Sequence, residues 1–170
     1  MRPIPSPTEV DLRSAAAALG EELRRRGWRL ATAESSTAGL IGHAITMVPG
    51  ASDYYVGGVI SYSNLSKEVQ LGVPSDLLDR WGAVSAEVAS AMAEGARDRF
   101  GVEIGVAVTG IAGPDGGTAT KPVGRHYAAV ASPGHPAVVQ LLDLDFDRDG
   151  NRAAAALAAL ELASREVSRA

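Results

Sequence analysis

Apolar positions along this chain alternate between helical and strand spacing. Leu12, Ala16, Leu19 and Leu23 recur at helical intervals. Thr8 and Asp11 precede them as a capping box, with Asp in place of Glu. Arg24, Arg25 and Arg26 fall in the last turn, where positive charge suits the dipole, and Gly27 ends the helix. "WRLATAES" reads as a short strand running into two serines. "STAGLIGHAITMV" reads as a helix closed by Pro49-Gly50. A second strand, about residues 55–63, carries Gly57-Gly58, the mark of a bulge or a close approach.

"LSKEVQLGV" is a short helix ending near Gly72, and "PSDLLDRWG" is another turn of helix starting at Pro74. "SAEVASAMAEGARDRFG" is amphipathic. Ser85 can cap it, and Val88, Met92, Ala96 and Phe100 follow one face. "EIGVAVTG" is a strongly apolar strand ending at Thr109-Gly110, and a glycine-rich loop follows over 111–122. "VGRHYAAVAS" and "AVVQLLDLDF" are two strands joined as a hairpin at Pro133-Gly134. An Ala- and Leu-rich helix over about 149–167 closes the chain. Alternating elements followed by a hairpin predict an α/β fold. The expected form is a three-layer α/β/α sandwich with a mixed sheet of about five strands. Residues 1–7, with three prolines, read as a loose lead-in. No repeat, linker or second domain breaks the pattern, so 1–170 is expected to be one domain.

Composition narrows the classes. A net charge of −4 gives no global basic field for nucleic acid or an anionic membrane. No apolar run approaches the ~18 residues of a membrane span, and the N-terminus lacks a signal-peptide core. A cytoplasmic location is the default expectation. The absence of cysteine removes disulfides, thiolate metal sites and Cys nucleophiles. The basic residues are 14 Arg and two Lys, Lys67 and Lys121. A GC-rich genome explains that bias. Yet Arg cannot serve as a general base near neutral pH, whereas a desolvated Lys can, so the two lysines are worth locating.

Three segments could carry chemistry. In "AESSTAG", Ser35 and Ser36 stand at a strand-to-helix junction, where free amides can hold an oxyanion. The G-x-S-x-G elbow is absent, and plain capping explains both serines as well. In "SYSNLSK", Tyr62 and Asn64 share a strand face at period two, with Lys67 one helical turn beyond. A basic Lys67 needs roughly 4–5 kcal/mol of desolvation or repulsion, with Tyr62 relaying or orienting; an exposed surface lysine is the plain alternative. The loop "TGIAGPDGGTATKPVG" holds five glycines and Lys121 after a buried strand, as a phosphate cradle or a surface loop would. In "FDRDGNR", Arg148 suits a carboxylate or phosphate, or a local ion pair. His43, His126 and His135 are isolated, and no cluster has metal-ligand spacing.

Taken in order, "TAESSTAGLIG", "GGVISYSNLSK", "LGV", "GAVSAEVASAMAEGA", "AVTGIAGPDGGTATKPVG" and "DRDGNR" resemble one family across about residues 8–168. That family is the C-terminal domain of the competence/damage-inducible protein CinA, also known as nicotinamide mononucleotide deamidase. The resemblance implies a three-layer α/β/α fold and a serine amidohydrolase with a Ser–Lys arrangement, no metal and no cofactor. The implied reaction converts nicotinamide mononucleotide to nicotinate mononucleotide and ammonia. By position, the nucleophile falls on Ser35, the base on Lys67 and the assisting tyrosine on Tyr62. Glu34, Ser36, Thr37, Gly39, Asn64, Thr109, Gly110, Gly113, Lys121 and Arg148 are the expected substrate-binding set. Two rivals stand beside this reading: a nucleotide-binding or docking module without turnover, and another amide or ester substrate on the same residues. The Ala-rich helices suit packing against a second subunit, so a homodimer is the assembly they point to. Three departures stand out: Ser36 where the family often has Cys, Arg125-His126 where a small or apolar strand usually continues, and no counterpart of the large N-terminal domain of many members. Activity attributed to that domain is therefore not expected here.

Overall fold

The computed structural model describes residues 5–170; residues 1–4 of the proline-rich lead-in lie outside them. The elements are α1 (Glu9–Arg26), β1 (Leu30–Glu34), α2 (Leu40–Thr46), β2 (Tyr55–Ile60), α3 (Asn64–Leu71), α4 (Ser75–Trp81) and α5 (Ala86–Phe100). After them come β3 (Ile104–Gly110), β4 (Arg125–Ala131), β5 (Val138–Asp143) and α6 (Arg148–Arg169). Local chemistry sets several boundaries. The Thr8–Asp11 capping box starts α1 and Gly27, in the left-handed region, ends it. Ser63, Ser85 and Asp147 side chains accept amide hydrogens at the starts of α3, α5 and α6.

The strands form one mixed sheet in the order β2-β1-β3-β4-β5. β2, β1 and β3 run parallel, and β4 and β5 return antiparallel as the hairpin. The central strands β1 and β3 are buried almost throughout, as parallel strands covered on both faces must be. On one face α1, α2 and α6 bury Leu19, Leu23, Ile41, Ile45 and Leu160 against Leu30, Ile104 and Val106. On the other, α5 lays Ala89, Met92 and Ala93 on Ala31, Ala33, Ala107 and Ala129. Small residues on both sides let α5 approach the sheet closely. At Gly105 a Cβ would overlap the Ala93 carbonyl oxygen, so α5 backbone touches β3 directly.

Two expected boundaries move, and both changes matter at the site. The helix expected to follow the serine pair directly starts only at Leu40. Ala38 (φ 49°) and Gly39 (φ 97°) are left-handed, which a continuing α-helix cannot accommodate. Residues 36–39 therefore form a tight turn. The second strand ends at Ile60 rather than near 63. Tyr62 thus lies in a loop and Asn64 is the first residue of α3, so the two do not share a strand face. Gly57 sits at the register shift between β1 and β2, the bulge that the glycine pair predicts.

Candidate active site

β1, β2 and β3 end on the same edge of the sheet. The chain leaves β1 for one neighbour and later returns to the other, so a crevice opens between the ends of β1 and β3. Ser35 is the first residue beyond β1. Its amide extends the ladder by donating to the Val108 carbonyl at 3.0 Å, which fixes the start of the turn. Lys67 reaches the same point from α3. Its Nζ stands 3.0 Å from Ser35 Oγ, 2.6 Å from the Ser61 carbonyl and 3.5 Å from the Tyr62 carbonyl. The lysine is 1% exposed and the serine 8%. Burial pushes the Lys67 pKa down to about 8, because water is replaced by dipoles rather than by a carboxylate. A neutral amine beside a hydroxyl is a base in hydrogen-bond contact with a nucleophile.

A cavity of about 160 Å³ opens over this pair, lined among others by Ser36, Tyr62, Thr109, Gly110 and Arg148. The Thr109 hydroxyl donates to the Ala83 carbonyl at 2.7 Å, so it braces the wall rather than facing a ligand freely. Arg148 donates to the Gly113 carbonyl at 2.5 Å and to Tyr62 Oη at 3.4 Å, which links α6 to the glycine-rich loop and the rim. Asn151, buried, donates to the Ala112 and Phe146 carbonyls at 3.0 Å each and fastens the loop's first residues to α6. A larger groove of about 480 Å³ runs between α1 and α6, and neither Ser35 nor Lys67 lines it.

The profile of the CinA C-terminal domain matches residues 12–167. The chain belongs to the CinA family. It is 48% identical over 153 residues to a CinA-like protein of Myxococcus xanthus, covering 90% of this chain and 36% of that one. It is 54% identical over 114 residues to a putative competence-damage inducible protein of Desulforudis audaxviator, covering 67% of this chain and 28% of that one. The chain thus spans about a third of the length of these curated relatives. The crystal structure of competence/damage inducible protein CihA from Agrobacterium tumefaciens superposes with a TM-score of 0.87 at 36% identity, covering 95% of this chain and 96% of that one. A CinA superfamily protein from Klebsiella pneumoniae gives 0.89 at 28% identity, covering 94% and 99%.

Within this CinA fold, Ser35, Lys67, Tyr62, Ser36, Thr109, Gly110 and Arg148 come together at one cavity. Tyr62 does so differently from expectation. Its ring is 65% exposed at the rim, its phenol meets Arg148, and only its backbone carbonyl approaches Lys67 Nζ. No phenol–amine relay exists. Glu34, Thr37, Gly39, Asn64, Gly113 and Lys121 are not among the lining residues. The Glu34 carboxylate accepts from the amides of Gly39, Ile41 and Gly42 at 2.9–3.1 Å and from the Thr37 hydroxyl at 2.8 Å. It is the cap of α2, and it occupies Thr37 and Gly39 as well. Asn64 is exposed on α3. Gly113 serves through the carbonyl held by Arg148. Lys121 is drawn to the Trp81 carbonyl at the end of α4.

Glu34→Ala leaves three amides and a hydroxyl without acceptors in a buried pocket. It is expected to lower unfolding stability by about 3 kcal/mol or more in urea denaturation. The Arg125-His126 departure also finds its place. Arg125 pairs with Asp143 at 2.5 Å across the hairpin. His126 is fully buried with Nδ1 3.0 Å from the Gly124 carbonyl, and burial lowers its pKa. Its ring lies so close behind Gly110 that a Cβ there would overlap it, which makes His126 the backing of one cavity wall.

The amides at the strand-to-helix junction are not all free. The Ser35 amide is spent on Val108, while those of Ser36 and Thr37 donate to no protein acceptor among the described residues. Sequence reasoning passed over Arg152, whose Nε and Nη2 donate to the Ser36 and Thr37 carbonyls at 3.1 and 3.2 Å. The available signal was its spacing: it stands four residues after Arg148, one turn along the same helix.

Proposed function

We propose that this chain hydrolyses the carboxamide of nicotinamide mononucleotide to nicotinate mononucleotide and ammonia, with Ser35 as nucleophile and Lys67 as base. The observation that carries the reading is the 3.0 Å contact between the Ser35 hydroxyl and a desolvated amine at the base of a cavity. Neutral Lys67 takes the Ser35 proton as Oγ bonds to the carboxamide carbon. The carbonyl electron pair moves onto oxygen, where the Ser36 amide donates to it. When the tetrahedral adduct collapses, the C–N bond breaks and Lys67 returns its proton to the departing nitrogen, giving ammonia. Water then attacks the acyl-serine, Lys67 takes and returns a proton again, and the free acid leaves. A cavity of about 160 Å³ takes the carboxamide and its ring, and leaves the ribose phosphate at the mouth beside Arg148.

The test is to incubate the protein with nicotinamide mononucleotide, measure ammonia, and identify the nucleotide product chromatographically. Stoichiometric ammonia and nicotinate mononucleotide are expected. Saturable nucleotide binding without ammonia would replace this reading with a binding module, and turnover of other amides alone would replace the substrate.

A further inference from the structure

The turn after Ser35 is held open from outside. Ala38 is a non-glycine residue in the left-handed region, a strained conformation that needs support from its surroundings. Ala38 N–H donates back to the Ser35 carbonyl at 3.2 Å, which orients the peptide whose other end is the Ser36 amide. The next two carbonyls, of Ser36 and Thr37, are both engaged by one guanidinium, that of Arg152 in the second turn of α6. A planar fork holds two neighbouring acceptors in a fixed relation that an ammonium cannot. Arg152 is itself anchored: Asp149, one turn earlier, lies 3.5 Å from its Nη1. It does not line the cavity.

We propose that Arg152 is a positioning residue: it clamps the 36–38 turn so that the amide following the nucleophile is preset to receive the developing oxyanion. Because a trans peptide directs N–H and C=O oppositely, fixing the Thr37 carbonyl fixes the Ala38 N–H, and that N–H holds the Ser35 carbonyl, whose peptide ends in the Ser36 amide. Polarisation of the Ser36 carbonyl also strengthens the Thr37 amide as a donor. The inference rests on the reading of Ser35 as nucleophile.

The test compares wild type with Arg152→Gln and Arg152→Lys in two assays. In ammonia release, kcat falls about ten- to a hundredfold for Gln and less for Lys, since one ammonium can hold one carbonyl. KM changes less than about threefold, and the midpoint of the pH profile, set by Lys67, stays in place. In the second assay a small fluorophosphonate labels Ser35, with its phosphoryl oxygen at the oxyanion position; labelling slows in the same order. A KM effect with unchanged kcat would overturn the inference, as would a shifted pH midpoint or equal labelling rates. Wild type that labels on Ser35 yet releases no ammonia would overturn the substrate reading alone. Lack of any Ser35 labelling in wild type would overturn both.

Discussion

Ser35→Ala is expected to lower ammonia release from nicotinamide mononucleotide by a factor of about 10⁴ or more, with the fold intact. Removing the nucleophile of such a unit removes nearly all catalysis beyond what binding and the oxyanion donors supply. The fold should survive because the Ser35 hydroxyl has one protein partner among the described residues, Lys67, while its backbone keeps the sheet contact to Val108. Nucleotide binding by the variant, read by calorimetry, should stay within a few-fold of wild type. Ser36→Ala is the matched control. The Ser36 hydroxyl is buried and has no protein hydrogen-bond partner among the described residues, so its removal relieves an unsatisfied group and leaves the amide in place. Activity within about tenfold of wild type and equal or higher stability are expected.

The second large effect belongs to Lys67 and has two opposite signs. Lys67→Met should reduce kcat by about 10³-fold or more and should stabilise the protein. The native pKa is about 8 against an ordinary 10.5, so between those values the unfolded chain holds a proton that the native protein has shed. Stability therefore rises with pH across that window. Below it the full cost of a buried charge is present, on the order of 3 kcal/mol. Methionine removes that cost at neutral pH, offset in part by the Ser61 carbonyl left without its donor, and denaturant midpoints at pH 7 and pH 10 would show the gain shrinking. The same titration should govern activity. Wild-type kcat/KM should climb nearly tenfold per pH unit below about 8 and level above it. Lys67→Met should lose that rise. Lys67→Arg should be inactive and less stable, since a guanidinium cannot shed its proton.

Much of this was legible in the chain, for identifiable reasons. Helical spacing of Leu12, Ala16, Leu19 and Leu23 gave α1, and capping and glycine signals gave its ends. The scarcity of lysine drew attention to Lys67, whose burial was the open question. What spacing could not supply was the use of each polar atom. Glu34 stands next to Ser35 in sequence, but its carboxylate points back to the amides of α2. Tyr62 lies near Lys67 in sequence and turns its phenol to Arg148, 86 residues away. The left-handed pair at Ala38 and Gly39 delays α2 by several residues, and nothing in "STAG" announces an alanine in that conformation. Arg152 acts across 116 residues of chain. Periodicity registers neighbours along the sequence, whereas these contacts are made between elements.

The most direct measurement is the mass of the protein quenched in acid during turnover of nicotinamide mononucleotide, followed by peptide mapping. An ester adduct of the nicotinate nucleotide confined to the peptide bearing Ser35, and abolished in Ser35→Ala, is the expected result. Undiminished ammonia release by Ser35→Ala, or an adduct on Ser36 in its place, would contradict the account.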